Sequence, residues 1–232
     1  MPLRGMIFDI DGTLVDTNST HVEAWRRAFN DLGFEVPTER IEVEIGKGGD
    51  LLVPAILGQA IEERQGDVLR KTQKQQFLNL ARQERFRVFP SVPELFRALG
   101  QRGIRTALAT SSGKEHLQAT SESAGIDLLH LGDILVTKAQ VETSKPAPDL
   151  VIVALEQLGF SPAECAMVGD TIYDAQACNG AGVVFLGLSS GGTPADRLLD
   201  AGARGVWRDT GHFYADLDHA LEVAALAATA SH

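Results

Sequence analysis

Gly5-Met6-Ile7-Phe8-Asp9-Ile10-Asp11-Gly12-Thr13-Leu14-Val15-Asp16 is the stretch on which the fold turns. It opens as a short apolar run with the composition of a strand buried on both faces, and the run gives way to acids and a glycine. Residues two apart in an extended chain face the same way, so Asp9 and Asp11 can project into one site while Ile10 turns into the core. Two carboxylates this close repel each other. They persist together when a metal ion neutralises them or when one is held protonated. Gly12 permits a sharp exit from the strand. Taken alone, Asp-Gly reads as a turn with Asp9 as a cap; the balance changes with what lies farther along the chain.

The same scheme recurs. Residues 105–110, 133–137, 165–169 and 183–188 are also short apolar runs that close in a polar or glycine turn. Helical patterns lie between most of them. Residues 91–102 place Leu95, Phe96 and Leu99 on one face, with Pro93 in the first turn and Gly103 past the end; residues 149–158 repeat this with Leu150, Val153, Ala154 and Leu158, and Gly159 as the stop. Strands alternating with helices imply right-handed crossovers and a doubly wound α/β fold, a parallel sheet between helix layers.

Residues 18–85 break the rhythm, being long, polar and helix-like. Within them, 19–32 carries Val22, Trp25, Ala28, Phe29 and Leu32 at helical spacing and ends at Gly33, while 59–85 reads as further helix. The expected division is a core of residues 1–16 and 86–232, with a small helical cap, 17–85, inserted after the first strand. The alanine-rich end up to His232 reads as a terminal helix that frays.

Three further segments offer chemistry. Ala109-Thr110-Ser111-Ser112 follows a strand and presents hydroxyls and backbone N–H groups where a phosphate could be held, although such a run also serves as a helix cap. Ser144-Lys145-Pro146-Ala147-Pro148-Asp149 sets one lysine against two prolines that stiffen the chain before a helix. Met167-Val168-Gly169-Asp170-Thr171-Ile172-Tyr173-Asp174 puts a second acid at a strand end. If a helix begins there, Asp170 and Asp174 share a face and both address a hard cation; the alternative is an N-cap at Asp170 and a helix-dipole acid at Asp174. Every one of these segments falls at or beyond the carboxyl end of a strand, where open α/β sheets build their sites.

Bulk properties narrow the function. A chain of 232 residues suits one main core with an appendage, and 44% hydrophobic with 22% charged residues is an ordinary globular composition. A formal net charge of −10 without a Lys/Arg cluster argues against nucleic acid or anionic lipid as a partner. It still permits a phosphate ester, provided that a cation and one or two basic groups reverse the field inside the pocket. Cys165 and Cys178 are too far apart for a Cys-x-x-Cys pair and read as reduced and structural. Residues 1–8 lack the pattern of a signal peptide and no run is long enough to span a bilayer, so a cytoplasmic location is expected.

These four motifs, taken in order from Asp9 to Asp174, resemble those of the haloacid-dehalogenase superfamily. The resemblance implies a Rossmann-like core and an aspartyl-phosphate mechanism. In that scheme Asp9 is the nucleophile, and Asp11 protonates the leaving oxygen and then activates water. Mg²⁺ is held by Asp9, Asp170 and the backbone carbonyl of Asp11, with Asp174 as ligand or support. Thr110, Ser111 and Lys145 hold the phosphoryl oxygens. Thr17-Asn18-Ser19-Thr20-His21, with Ala24-Trp25 beyond, resembles the start of the cap in the branch of β-phosphoglucomutase and its phosphatase relatives; His21 either faces the pocket or packs one turn from Trp25.

Gly46-Lys47-Gly48-Gly49-Asp50 resembles the cap's specificity loop. Gly49 stands where the mutases carry an arginine that grips a second phosphate, a place that Lys47 or Lys71 could fill instead. Asp174 stands where the mutases have glycine. Both departures favour hydrolysis of a small phosphorylated metabolite, phosphoglycolate or a sugar phosphate, over a β-phosphoglucomutase-like isomerisation. A non-catalytic binding protein on the same fold is the remaining alternative, and the chain is expected to be a monomer or a homodimer.

Overall fold

Successive residues of β1, Gly5–Phe8, point to opposite faces of a sheet, and each face has its own helix layer. The computed structural model describes residues 3–229. Its main sheet has six parallel strands in the order β5-β4-β1-β6-β7-β8, where β4 is Arg105–Ala109, β5 Ile134–Val136, β6 Cys165–Gly169, β7 Val184–Leu188 and β8 Val206–Trp207. Met6, Phe8, Leu108, Val168 and Leu186 pack on one face with Leu95 and Leu99 of α5, Val92–Gln101, and with Phe213 of α10, Thr210–Ala215, and Ala220 of α11, Leu217–Thr229. Ile7, Ala107, Met167 and Phe185 pack on the other with Leu150 and Ala154 of α7, Asp149–Leu158, and Ala175 and Cys178 of α8, Ile172–Ala181. The doubly wound α/β fold expected from the alternation is the one observed. Helix α6, Lys114–Ala124, follows β4, and the short α9, Ala195–Asp200, follows β7.

Strand β1 lies between β4 and β6, and the chain winds outward from it in both directions. The strand order therefore reverses beside β1, which opens a crevice at the carboxyl ends of β1, β4 and β6. Helix α7 has the predicted bounds and stops at Gly159 with φ +75°, a left-handed conformation that glycine adopts without a Cβ clash.

A different unit stands between β2, Val15–Asp16, and β3, Arg87–Val88, which pair with each other as an antiparallel ribbon. It consists of α1, Asn18–Asp31, α2, Thr38–Glu42, α3, Gly49–Leu57, and α4, Gln59–Gln83. Trp25, Phe29, Ile41, Leu52, Val53, Ile56 and Leu69 form a hydrophobic cluster of its own, distinct from the two that flank the sheet.

Several bounds differ from the sequence reading. Ile10 and Thr110 lie beyond their strands, since β1 ends at Phe8 and β4 at Ala109. Helix α4 ends two residues short of Arg85, and α1 starts one residue before Ser19. The two-residue strands β2, β3 and β8 were not anticipated, because a pair of residues carries no periodicity. Helix α11 is present as expected, whereas the reading that it frays toward His232 falls outside the described residues. Cys165 and Cys178 are free and buried. No helix among the described residues is long and apolar enough to cross a membrane.

Candidate active site

The backbone N–H of Asp9 donates to Val168 O at 3.0 Å, continuing the parallel pairing one residue past β1 and fixing where its carboxylate emerges. That carboxylate meets Lys145, whose Nζ lies 2.5 Å from Asp9 Oδ1 and 2.7 Å from Asp174 Oδ1. Lys145 is only 2% exposed. So buried an ammonium needs an ionic partner, and this one has two. Burial alone would lower the Lys145 pKa; Asp174 and Asp9 outweigh it and hold the group firmly charged.

Asp9, Asp170 and Asp174 each turn a carboxylate oxygen into one buried cluster, these atoms lying within 4.8 Å of one another. Asp170 is completely buried. Its Oδ1 accepts from Thr13 Oγ1 at 2.8 Å and its Oδ2 from Asn18 Nδ2 at 3.0 Å, while Asn18 also donates to Gly191 O at 3.0 Å. Two glycines make room for it. A Cβ on Gly191 would stand 1.6 Å from Asp170 Oδ2, and one on Gly12, at φ +80°, would stand 2.4 Å away.

The reason for the approach of Asp170 to Asp174 differs from the one the sequence suggested. Helix α8 begins at Ile172, so Asp170 precedes the helix and cannot share its face with Asp174. Thr171 is the N-cap: its hydroxyl accepts from the Asp174 N–H, and Asp174 Oδ2 accepts from Thr171 N at 3.0 Å and Oγ1 at 2.6 Å. This capping box fixes Asp174 from below, and the bend before it brings Asp170 alongside. Asp170 is therefore not the cap either.

One ammonium against three carboxylates leaves the cluster short of positive charge. Burial pushes Asp9 up to about 7, with Lys145 opposing and Asp174 and Asp11 adding to the rise. Burial likewise drives Asp170 well above the usual carboxylate range, reinforced by Asp9 and Asp174. Buried oxygen donors converging with negative charge to spare suit a hard divalent cation such as Mg²⁺.

The Asp11 carboxylate stands outside this cluster and is held by a different set of groups. Oδ1 accepts from Thr17 Oγ1 at 2.7 Å and lies 3.1 Å from His21 Nε2; Oδ2 accepts from Ser112 Oγ at 2.9 Å and Thr110 Oγ1 at 3.4 Å. Burial would raise its pKa, but the His21 imidazole and these hydrogen bonds hold it well below the usual range. His21 also stacks on Phe77, with ring centroids 4.3 Å apart, so it both packs and faces the cavity.

Thr110 is buried at the end of β4, and its hydroxyl accepts from Ser112 N at 2.9 Å while donating to Asp11. Ser111 Oγ is buried without a hydrogen-bond partner and its residue lines the cavity, leaving that hydroxyl available.

A cavity of about 630 Å³ opens over Asp9, Asp11 and Asp174, roofed by Trp25, His21 and the 46–50 loop. Lys145 and Asp170 sit behind its wall. Most cations around it are already paired: Lys47 with Glu44, Arg70 with Glu62 and Asp67, Lys74 with Glu115 and Lys138 with Asp50. Lys47 also lies over the Tyr173 ring at 4.8 Å. Sequence reasoning passed over Arg70, whose Nη1 reaches Gly49 O at 3.4 Å. It gave Thr13 and Asn18 no role within their motifs, took Ser112 only as one of the hydroxyls that could hold a phosphate, and passed over Gly191; the meaning of all four comes from contacts across the fold.

A family profile of haloacid dehalogenase-like hydrolases matches residues 3–182. The chain belongs to the haloacid dehalogenase-like hydrolases. Within the superfamily it is 34% identical over 198 residues to Probable phosphatase IndB of Dickeya dadantii (strain 3937), covering 84% of this chain and 85% of that one. It is 29% identical over 210 residues to the phosphoglycolate phosphatase of Escherichia coli (strain K12), covering 82% of each. The crystal structure of a hydrolase from Pseudomonas syringae superposes with a TM-score of 0.86 at 29% identity, covering 93% of this chain and 98% of that one. Membership in the superfamily agrees with the four motifs and with the doubly wound fold read from the sequence.

Proposed function

We propose that this hydrolase is a Mg²⁺-dependent phosphatase that acts on a small phosphorylated metabolite through an aspartyl-phosphate intermediate. The observation that carries the reading is the separation of two acids only two residues apart. Asp9 joins a cluster of carboxylates around one buried lysine, while Asp11 is held apart by His21 and three hydroxyls. Such a division of environments assigns nucleophile and acid/base roles to neighbouring carboxylates.

In this scheme the bound phosphate dianion raises Asp11 from its low resting pKa, so that Asp11 takes up a solvent proton before the step; Asp9 attacks phosphorus, the ester oxygen departs with that proton, and Asp11 then takes a proton from the water that hydrolyses the acyl phosphate. Lys145 offsets charge on Asp9 and on the phosphoryl oxygens, and Ser111 and Thr110 at the end of β4 address those oxygens. Asp9, Asp170 and the Asp11 backbone carbonyl would hold Mg²⁺, with Asp174 as ligand or support; the ion supplies charge neutralisation of the phosphoryl group and keeps the nucleophile ionised. Residues 17–85 act as the cap that closes over the pocket, with His21, Lys47 and Gly48 on its inner side. Phosphoglycolate and sugar phosphates are the substrates to try first, the former because phosphoglycolate phosphatases stand among the relatives. A reducing, cytoplasmic setting fits the two free buried cysteines.

The test is phosphate release from an aryl phosphate with Mg²⁺ and with EDTA. Release that depends on Mg²⁺ supports the reading; none in either condition refutes it.

A further inference from the structure

Residues 46–50, the end of the α2–α3 connection and the first two residues of α3, rest on the two core loops that carry the site's charge. A Cβ on Gly46, at φ +103°, would lie 2.7 Å from Thr171, and one on Gly48 would lie 2.1 Å from Ser144 Oγ. Neither place has room for a methyl group. Thr171 caps the helix that holds Asp174, and Ser144 is the residue before Lys145.

Asp50 adds a polar connection at the same spot. Its Oδ2 accepts from the Ser144 backbone N–H at 3.2 Å and from Lys138 Nζ at 2.9 Å, and Lys138 donates in turn to Glu142 O at 2.7 Å. Burial acts to raise the Asp50 pKa, but Lys138 and Ser144 lower it overall, so the carboxylate stays ionised where it meets the loop. No other side chain among the described residues hydrogen-bonds the Ser144 N–H. The carboxylate thus ties both ends of the 138–144 segment to the cap.

We propose that Asp50 is a positioning residue: docked on the core, it fixes the backbone before Lys145 and so sets the ammonium between Asp9 and Asp174. The loop's glycines then serve the fit between cap and core. A closed cap organises the charge at the nucleophile, and an open one releases it. Lysine has a long flexible stem, and small displacements at a reacting centre are costly in rate, so an anchor on the adjacent backbone is felt in turnover. This inference rests on the phosphoryl-transfer reading above.

The experiment is steady-state hydrolysis of p-nitrophenyl phosphate at saturating Mg²⁺, with melting temperature as the check on folding. Wild-type protein is assayed first, and its inactivity would sink the phosphatase reading itself. With the wild type active, Asp50→Ala should lower kcat by about tenfold or more with KM changed less than about threefold. Asp50→Asn keeps an acceptor for the Ser144 N–H and should recover to within about threefold of the wild type. Gly48→Ala, whose methyl group would stand 2.1 Å from Ser144 Oγ and 2.5 Å from Asp50 Oδ1 and so forces the two apart, should reproduce the loss in kcat; it decides the question if Asp50→Ala fails to fold. A smaller fall in kcat, a loss confined to KM, or an Asn variant as slow as the Ala variant would overturn the proposal.

Discussion

Replacing Lys145 with methionine removes the one ammonium from the acid cluster while keeping the stem's volume. The side chain is 2% exposed and bridges Asp9 and Asp174 at 2.5 and 2.7 Å, so the change leaves two buried carboxylates without their counter-ion. Breaking a buried pair from one side costs roughly 3–5 kcal/mol. For a domain of this size about 1 kcal/mol corresponds to about 2–4 °C, so the melting temperature should fall by roughly 6–20 °C in EDTA. The pH dependence has a definite sign. Asp9 is raised to about 7 even with Lys145 present, so its ionisation opposes folding as pH rises through that value. Without the lysine the folded-state pKa rises further, and below it the carboxyl takes up a proton that relieves the strain. The loss should therefore be larger at pH 8 than at pH 5. Thermal melts of both proteins at the two pH values, in EDTA, check this. A fall under about 3 °C at pH 8, or a larger fall at pH 5, would refute the account of Lys145 as the cluster's counter-ion.

Other perturbations separate the remaining roles. Asp11→Asn should slow turnover by about 10²–10⁴-fold with the fold intact, and an unchanged rate in phosphate-release assays would mean that another group handles the protons. Adding Mg²⁺ at about one hundred times its Kd should stabilise the wild type by about 2.7 kcal/mol and raise its melting temperature, with Asp170→Asn losing most of that response; an equal response in both proteins would remove Asp170 from the metal site. Gly191→Ala places a methyl carbon 1.6 Å from Asp170 Oδ2, so activity and Mg²⁺-induced stabilisation should both collapse, as kinetics and melts would show; wild-type values would mean that the loop yields freely.

Local signals carried much of this structure. The strands that end just before Asp9, Thr110 and Asp170 were legible because buried parallel strands are short apolar runs, and the polar residue after each falls where a doubly wound sheet builds its site. Helix α7 was legible to the residue because Asp149 and Gly159 punctuate a clean apolar face. The relation of Asp170 to Asp174 was misread. A spacing of four suggests a shared helix face, whereas Thr171-Ile172-Tyr173-Asp174 is a capping-box pattern that takes the N-cap at Thr171 and leaves Asp170 outside. The supports of Asp170 were illegible for another reason. Asn18 is 152 positions away and Gly191 matters only through the space it leaves, so both acquire meaning from the fold. The same holds for Asp50, a first-turn acid in sequence and a tether to the Lys145 loop in three dimensions.

Trapping the phosphorylated enzyme would test the nucleophile most directly. Protein mixed with a radiolabelled aryl phosphate and Mg²⁺ is quenched in acid within a turnover, digested and mapped by mass spectrometry. The account predicts alkali-labile phosphate on the peptide containing Asp9 and none in Asp9→Asn. Label on a different residue, or phosphate release by Asp9→Asn at the wild-type rate, would contradict it.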